Sequence, residues 1–122
     1  MPHIRNVQTV VETRPYLAAA KAAGISEAEA REIVDVLAAD PAAGDEIAGT
    51  GGCRKIRFAG RGKGKSGGYR VVTFYSGKAI PLFLLTMFGK GERSDLSPAE
   101  RNALKALTKA LVAAYRRPNS FE

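Results

Sequence analysis

A chain of 122 residues has material for one hydrophobic core and little left for a second, which predicts a single domain over residues 1–122 and excludes a multi-domain machine. Its 45% hydrophobic content reaches no run near the roughly 20 apolar residues that span a bilayer, the opening "MPHIRNVQTVVETRP" lacks a signal-peptide core, and the lone Cys53 and lone His3 exclude a disulfide framework or a zinc cluster; a cytoplasmic protein without membrane contact or cofactor is expected. The formal net charge is +7, and seven cations with no acid lie between Arg54 and Arg70, so the remaining residues balance at 12 basic against 12 acidic.

In chain order, "VQTVV" at 7–11 predicts a short first strand. "TRPYLAAAKAAG" then predicts a short helix, with Thr13 as cap, Pro15 in the first turn where its missing N–H does no harm, and Gly24 as stop. Ser26 and Glu29 have capping-box spacing, and Ala30, Ile33, Val34 and Leu37 recur at helical period, predicting a second helix. The two form a helical hairpin whose apolar faces must cover something.

From Cys53 the period changes to two. In "CRKIRFA", Ile56 and Phe58 fall on one face and Cys53, Lys55 and Arg57 on the other, the pattern of a half-buried strand that presents its cations together. The next stretch, "AGRGKGKSGG" at 59–68, fits the loosest phosphate-loop pattern, ending in Gly64, Lys65 and Ser66. A phosphate loop needs a helix immediately after it to receive the phosphates and a magnesium-binding acid on a later strand. Here "YRVVTFY" reads as a strand and no later strand ends in a buried acid, so nucleotide binding is rejected. What remains is a glycine-rich basic loop joining two antiparallel strands. It is either a solvated loop or, since the rest of the chain is charge-balanced, a polyanion site in which Arg54, Arg61, Lys63 and Lys65 follow a nucleic-acid backbone.

"SGKA" at 76–79 predicts a hairpin turn, and "IPLFLLTMF" a strand covered on both faces. The last helix opens at Ser97, Pro98 and Glu100 and sets Leu104, Leu107, Leu111 and Tyr115 on one face. The sum is an α+β fold: a small, mostly antiparallel sheet with an N-terminal helical hairpin and a C-terminal helix.

The blocks "GTGGCRKIR" at 49–57, "GGYRVV" at 67–72 and "LLTMFGKGERSDLS" at 84–97 resemble the RelE/ParE superfamily of toxins from bacterial toxin–antitoxin pairs, most closely its HigB-like branch, over about residues 40–111. The resemblance implies a RelE-like fold, ribosome-dependent cleavage of messenger RNA, and neutralisation by a cognate antitoxin, a small helix-turn-helix protein. A gyrase-poisoning toxin of the ParE type shares the fold without the nuclease residues, and "KIR" with "GYR" in one sheet argues against it. A non-catalytic RNA-binding module would need only the cations.

Cleaving RNA with its own 2′-hydroxyl requires a group to take that proton, positive charge at the phosphate, and a donor to the leaving 5′-oxygen. With only His3, near the terminus, histidine catalysis is not expected. Lysine serves as base where neighbouring cations and partial burial disfavour its charged form, which makes Lys55 the candidate, with Arg57 and Arg70 as forked donors to the phosphate. By resemblance, these three match the family's basic catalytic positions, and Lys90 a position that binds the substrate backbone. Some relatives carry an arginine directly after it and a tyrosine later; here Gly91 and Ser97 stand there. Arg93 is a candidate for the missing charge, and the general acid has no assigned residue. Tyr69 and Tyr75, on one strand face, either stack a base or pack in the core.

Overall fold

The computed structural model describes residues 8–59, 68–89 and 95–116. Its elements are β1 (Val10–Glu12), α1 (Arg14–Ala22), α2 (Glu27–Ala39), β2 (Asp45–Glu46), β3 (Cys53–Phe58), β4 (Tyr69–Phe74), β5 (Leu82–Gly89) and α3 (Pro98–Arg116). The strands form one sheet in the order β1-β5-β4-β3-β2. Three neighbour pairs are antiparallel and β1 runs parallel to β5, so the sheet is mixed, with antiparallel pairing in the majority. Two-residue β2, which composition alone does not mark, extends the sheet beyond β3.

The helix starts follow from their caps. Thr13 Oγ1 accepts from the Tyr16 amide (3.3 Å) and donates to the Leu84 carbonyl (2.7 Å), tying the start of α1 to β5. Ser26 and Glu29 exchange both bonds of a capping box at 3.1 Å each, and Ser97 with Glu100 repeats the exchange at α3 (3.2 and 2.8 Å). At the end of α1, Gly24 takes φ +76°, the left-handed conformation that lets the chain reverse into α2.

The two sheet faces bury different clusters. Tyr16 and Ala20 of α1 and Ile33 and Leu37 of α2 pack on Tyr69, Val71, Leu82, Leu84 and Met87. On the other face Cys53, Val72, Phe74, Phe83, Leu85 and Phe88 meet Leu96 and the α3 residues Leu104, Leu111 and Val112. Central β5 is therefore covered on both sides, and each fully buried aliphatic side chain there contributes about 1.5–3 kcal/mol. The inner face of α3 is rotated from the expected one. Leu107 is 42% exposed and the buried Thr108 takes its place, while Tyr115, itself half exposed, keeps an edge contact with Phe83 at 6.0 Å between ring centroids.

Tyr69 is 4% exposed and Tyr75 packs beside it in the helical-hairpin cluster, so core packing accounts for both and a stacking role for Tyr69 is overturned. No helix among the described residues is long and apolar enough to cross a membrane.

Candidate functional site

The site is built on β3, and the "GTGGC" turn fixes how that strand lies. Ile47 N–H donates to the Cys53 carbonyl (2.8 Å), Thr50 Oγ1 donates to the Ile47 carbonyl (2.6 Å), and the Cys53 amide donates back to Thr50 Oγ1 (3.1 Å). Thr108 of α3 donates to the Thr50 carbonyl (3.0 Å), clamping the turn to the helix. Gly51 adopts φ +77°, and a Cβ there would stand 2.5 Å from Thr108 Oγ1, so both conformation and space demand glycine. Gly44, at φ +97°, comes close enough to β3 that a Cβ would meet the Lys55 carbonyl oxygen at 2.7 Å.

With β3 held in this way, its alternation is as expected. Ile56 and Phe58 join the hairpin-side cluster, and Cys53 joins the α3 side. Lys55 and Arg57 share the face of Cys53 by strand parity. The register sets Arg57 directly opposite Arg70 and Lys55 opposite Val72. Directly opposed residues on an antiparallel pair have Cβ atoms about 4.5–5.5 Å apart, and like charges there destabilise a sheet. The register therefore sets two guanidinium-bearing side chains next to each other on this face.

Arg54 falls on the opposite face, by the same parity that separates it from Lys55, and its guanidinium lies 4.0 Å from Glu46 of β2. Of the sequence-selected cations, the structure thus brings Lys55, Arg57 and Arg70 together and turns Arg54 away. Arg61, Lys63, Lys65, Lys90 and Arg93 lie outside the described residues.

Besides the neighbouring cations expected around Lys55, the structure places an acid, Asp95, next to it. The Oδ1 of Asp95 lies 3.5 Å from Lys55 Nζ and accepts from the Leu96 amide (2.8 Å), while its Oδ2 accepts from Arg101 of α3 (2.9 Å). The Leu96 hydrogen bond, and after it the charges of Lys55 and Arg101, hold the Asp95 carboxyl below the usual carboxylate range. Sequence reading missed this acid because it stands 40 residues from Lys55. The available signal was its place immediately before the Leu96–Ser97 start of α3.

Other reactive groups are turned to structure. Cys53 is buried, and burial pushes its thiol up to about 11 against the opposing Thr50 bond, so it stays protonated at neutral pH. Tyr16 is buried under the helical hairpin, and burial with the nearby Glu12 pushes its phenol up to about 12. Ser97 is occupied as the α3 cap. Among the described residues no three His, Cys, Asp or Glu side chains gather where they could hold a metal ion.

The family described as the RelE toxin of the RelE/RelB toxin–antitoxin system matches residues 9–118. Among solved structures, the fold is similar to that of a doubly arginine-substituted mutant of the E. coli toxin RelE in the free state. The TM-score is 0.51 at 14% sequence identity, over 86% of this chain and 99% of that one.

Proposed function

The chain belongs to the RelE toxin family, a toxin of a toxin–antitoxin pair, and from that premise we propose that it is a ribosome-dependent endoribonuclease of the HigB-like branch that cuts messenger RNA in the cytoplasm. The observation that carries this reading is the cationic face of β3 and β4, where Lys55 precedes the opposed Arg57 and Arg70. An RNA phosphate set against Arg57 and Arg70 meets two planar forks suited to the oxygens of a five-coordinate phosphorus. The 2′-oxygen attacks that phosphorus as its proton passes to Lys55 in its neutral form. The bond to the 5′-oxygen breaks, that oxygen takes up a proton, and the products are a 2′,3′-cyclic phosphate and a 5′-hydroxyl end. Charge that builds on the non-bridging oxygens is met by fixed guanidiniums rather than by mobile water, the situation in which electrostatic stabilisation is strongest.

Arg61, Lys63 and Lys65, with Lys90 and Arg93, are proposed to grip the backbone on either side. Residues 1–122 are proposed to act as one domain, and the antitoxin to be a helix-turn-helix protein that blocks the cationic face or its access to the ribosome. Mapping RNA 5′ ends on ribosomes after brief induction tests the reading. Discrete new 5′-hydroxyl ends within translated messages support it. Intact messages accompanied by induction of the DNA-damage response would instead identify a gyrase poison, and intact messages without it a non-catalytic RNA-binding module.

A further inference from the structure

Resting on that reading, we propose that Asp95 is a positioning residue: braced by Arg101, it holds the Lys55 side chain in place for the reaction at the cost of weaker RNA binding.

Three observations carry this. Lysine has a flexible four-carbon stem and about 2 kcal/mol of rotamer entropy, so a lysine on an open sheet face has no fixed direction unless something holds its end. Asp95 is placed to do so, 3.5 Å from Nζ. Asp95 is itself braced from two sides, by the Leu96 amide at 2.8 Å and the Arg101 guanidinium at 2.9 Å, with Arg101 reaching on to the Ala48 carbonyl (3.5 Å). The carboxylate is therefore a fixed point rather than a second floppy end. Finally, the Asp95 side chain is 45% exposed and that of Lys55 26%, so the acid stands at the rim of the face that an RNA phosphate must approach. A negative charge there opposes binding. Its presence there, which also favours the charged form of a lysine that acts when neutral, makes physical sense if the orientation it imposes outweighs both costs.

The start of α3 does not depend on this acid, because Ser97 and Glu100 complete their own capping box. Asp95→Asn keeps an oxygen for the Leu96 amide and preserves shape while removing the charge. The test is single-turnover cleavage of a defined message on purified ribosomes by wild type, Asp95→Asn, Asp95→Glu, Arg101→Met and the Asn/Met double variant, with thermal melting to confirm that each is folded. A loosened reactive group costs roughly ten- to a hundredfold in rate. The expected result is a maximal rate for Asp95→Asn reduced on that scale, with half-saturation at a lower enzyme concentration than wild type. Arg101→Met should share the rate loss, the double variant should be no slower than Asp95→Asn alone, and Asp95→Glu should recover part of the rate. A merely structural role would lower the folded fraction without this opposed change in rate and binding. If wild type cuts and folded Asp95→Asn cuts at full rate, or if rate losses multiply in the double variant, the positioning role is overturned while the nuclease reading stands. If wild type leaves messages whole, the reading falls and the proposal with it.

Discussion

Replacing Lys55 with alanine separates a reactive cation from a structural one. The ion pair the side chain makes is with Asp95 at 3.5 Å, between partly exposed groups, and pairs of this kind contribute about 0.2–1 kcal/mol. A change of residue on a strand moves stability within a span of about 1 kcal/mol. The backbone of β3 keeps its bonds to β2 and β4 in either case. Stability should therefore fall by about 1 kcal/mol. A general base contributes roughly 10²–10⁴ in rate, which corresponds to about 3–5 kcal/mol of transition-state free energy. Activity should thus fall several times further, in free energy, than stability. Urea unfolding followed by circular dichroism measures the first, and single-turnover cleavage on programmed ribosomes the second. A folded Lys55→Ala protein that cuts at the wild-type rate refutes the assignment of Lys55, and so does a loss of activity that only tracks a loss of folded protein.

Arg54→Ala should leave cleavage nearly unchanged, since Arg54 lies on the other face of β3 with Glu46; a loss as deep as that of Lys55→Ala would contradict the face assignment. Gly51→Ala combines a left-handed backbone with a Cβ 2.5 Å from Thr108 Oγ1, and conformational strain plus a displaced buried hydrogen bond should cost about 2–5 kcal/mol, read as a lower urea midpoint. Alkaline pH should also destabilise the fold. Burial raises Cys53 from 9.0 to about 11 and Tyr16 from 10.0 to about 12, and a raised folded value means a contribution complete below the unfolded value and lost as pH rises through the folded one. Urea stability should decline between pH 9 and pH 12, less steeply over the first part of that range in Cys53→Ala; a flat profile contradicts it.

The elements legible in the sequence were those whose signals are local. Thr13, Ser26 and Ser97 cap helices through bonds made within three residues. The alternation of Ile56 and Phe58 with Cys53, Lys55 and Arg57 reports burial on one strand, and the cationic face followed from it. The same parity already separated Arg54 from Lys55, although charge clustering along the chain grouped them. What escaped was set by partners distant in sequence. The parallel pairing of β1 with β5 joins residues about 70 apart, and β2 is too short to carry a period. The outward turn of Leu107 follows from the clamp of Thr108 on Thr50, which no helical pattern encodes. Asp95 reaches Lys55 only because α3 begins beside β3.

The most direct test is a message carrying a single 2′-deoxynucleotide on the 5′ side of the mapped cut, presented on purified ribosomes. Transesterification driven by the Lys55, Arg57 and Arg70 face requires that hydroxyl, so cutting at the modified position should cease while neighbouring sites stay susceptible and the unmodified message yields 5′-hydroxyl ends. Undiminished cutting at the deoxynucleotide would show that an external nucleophile attacks the phosphate, and the chemistry assigned to this sheet face would be wrong.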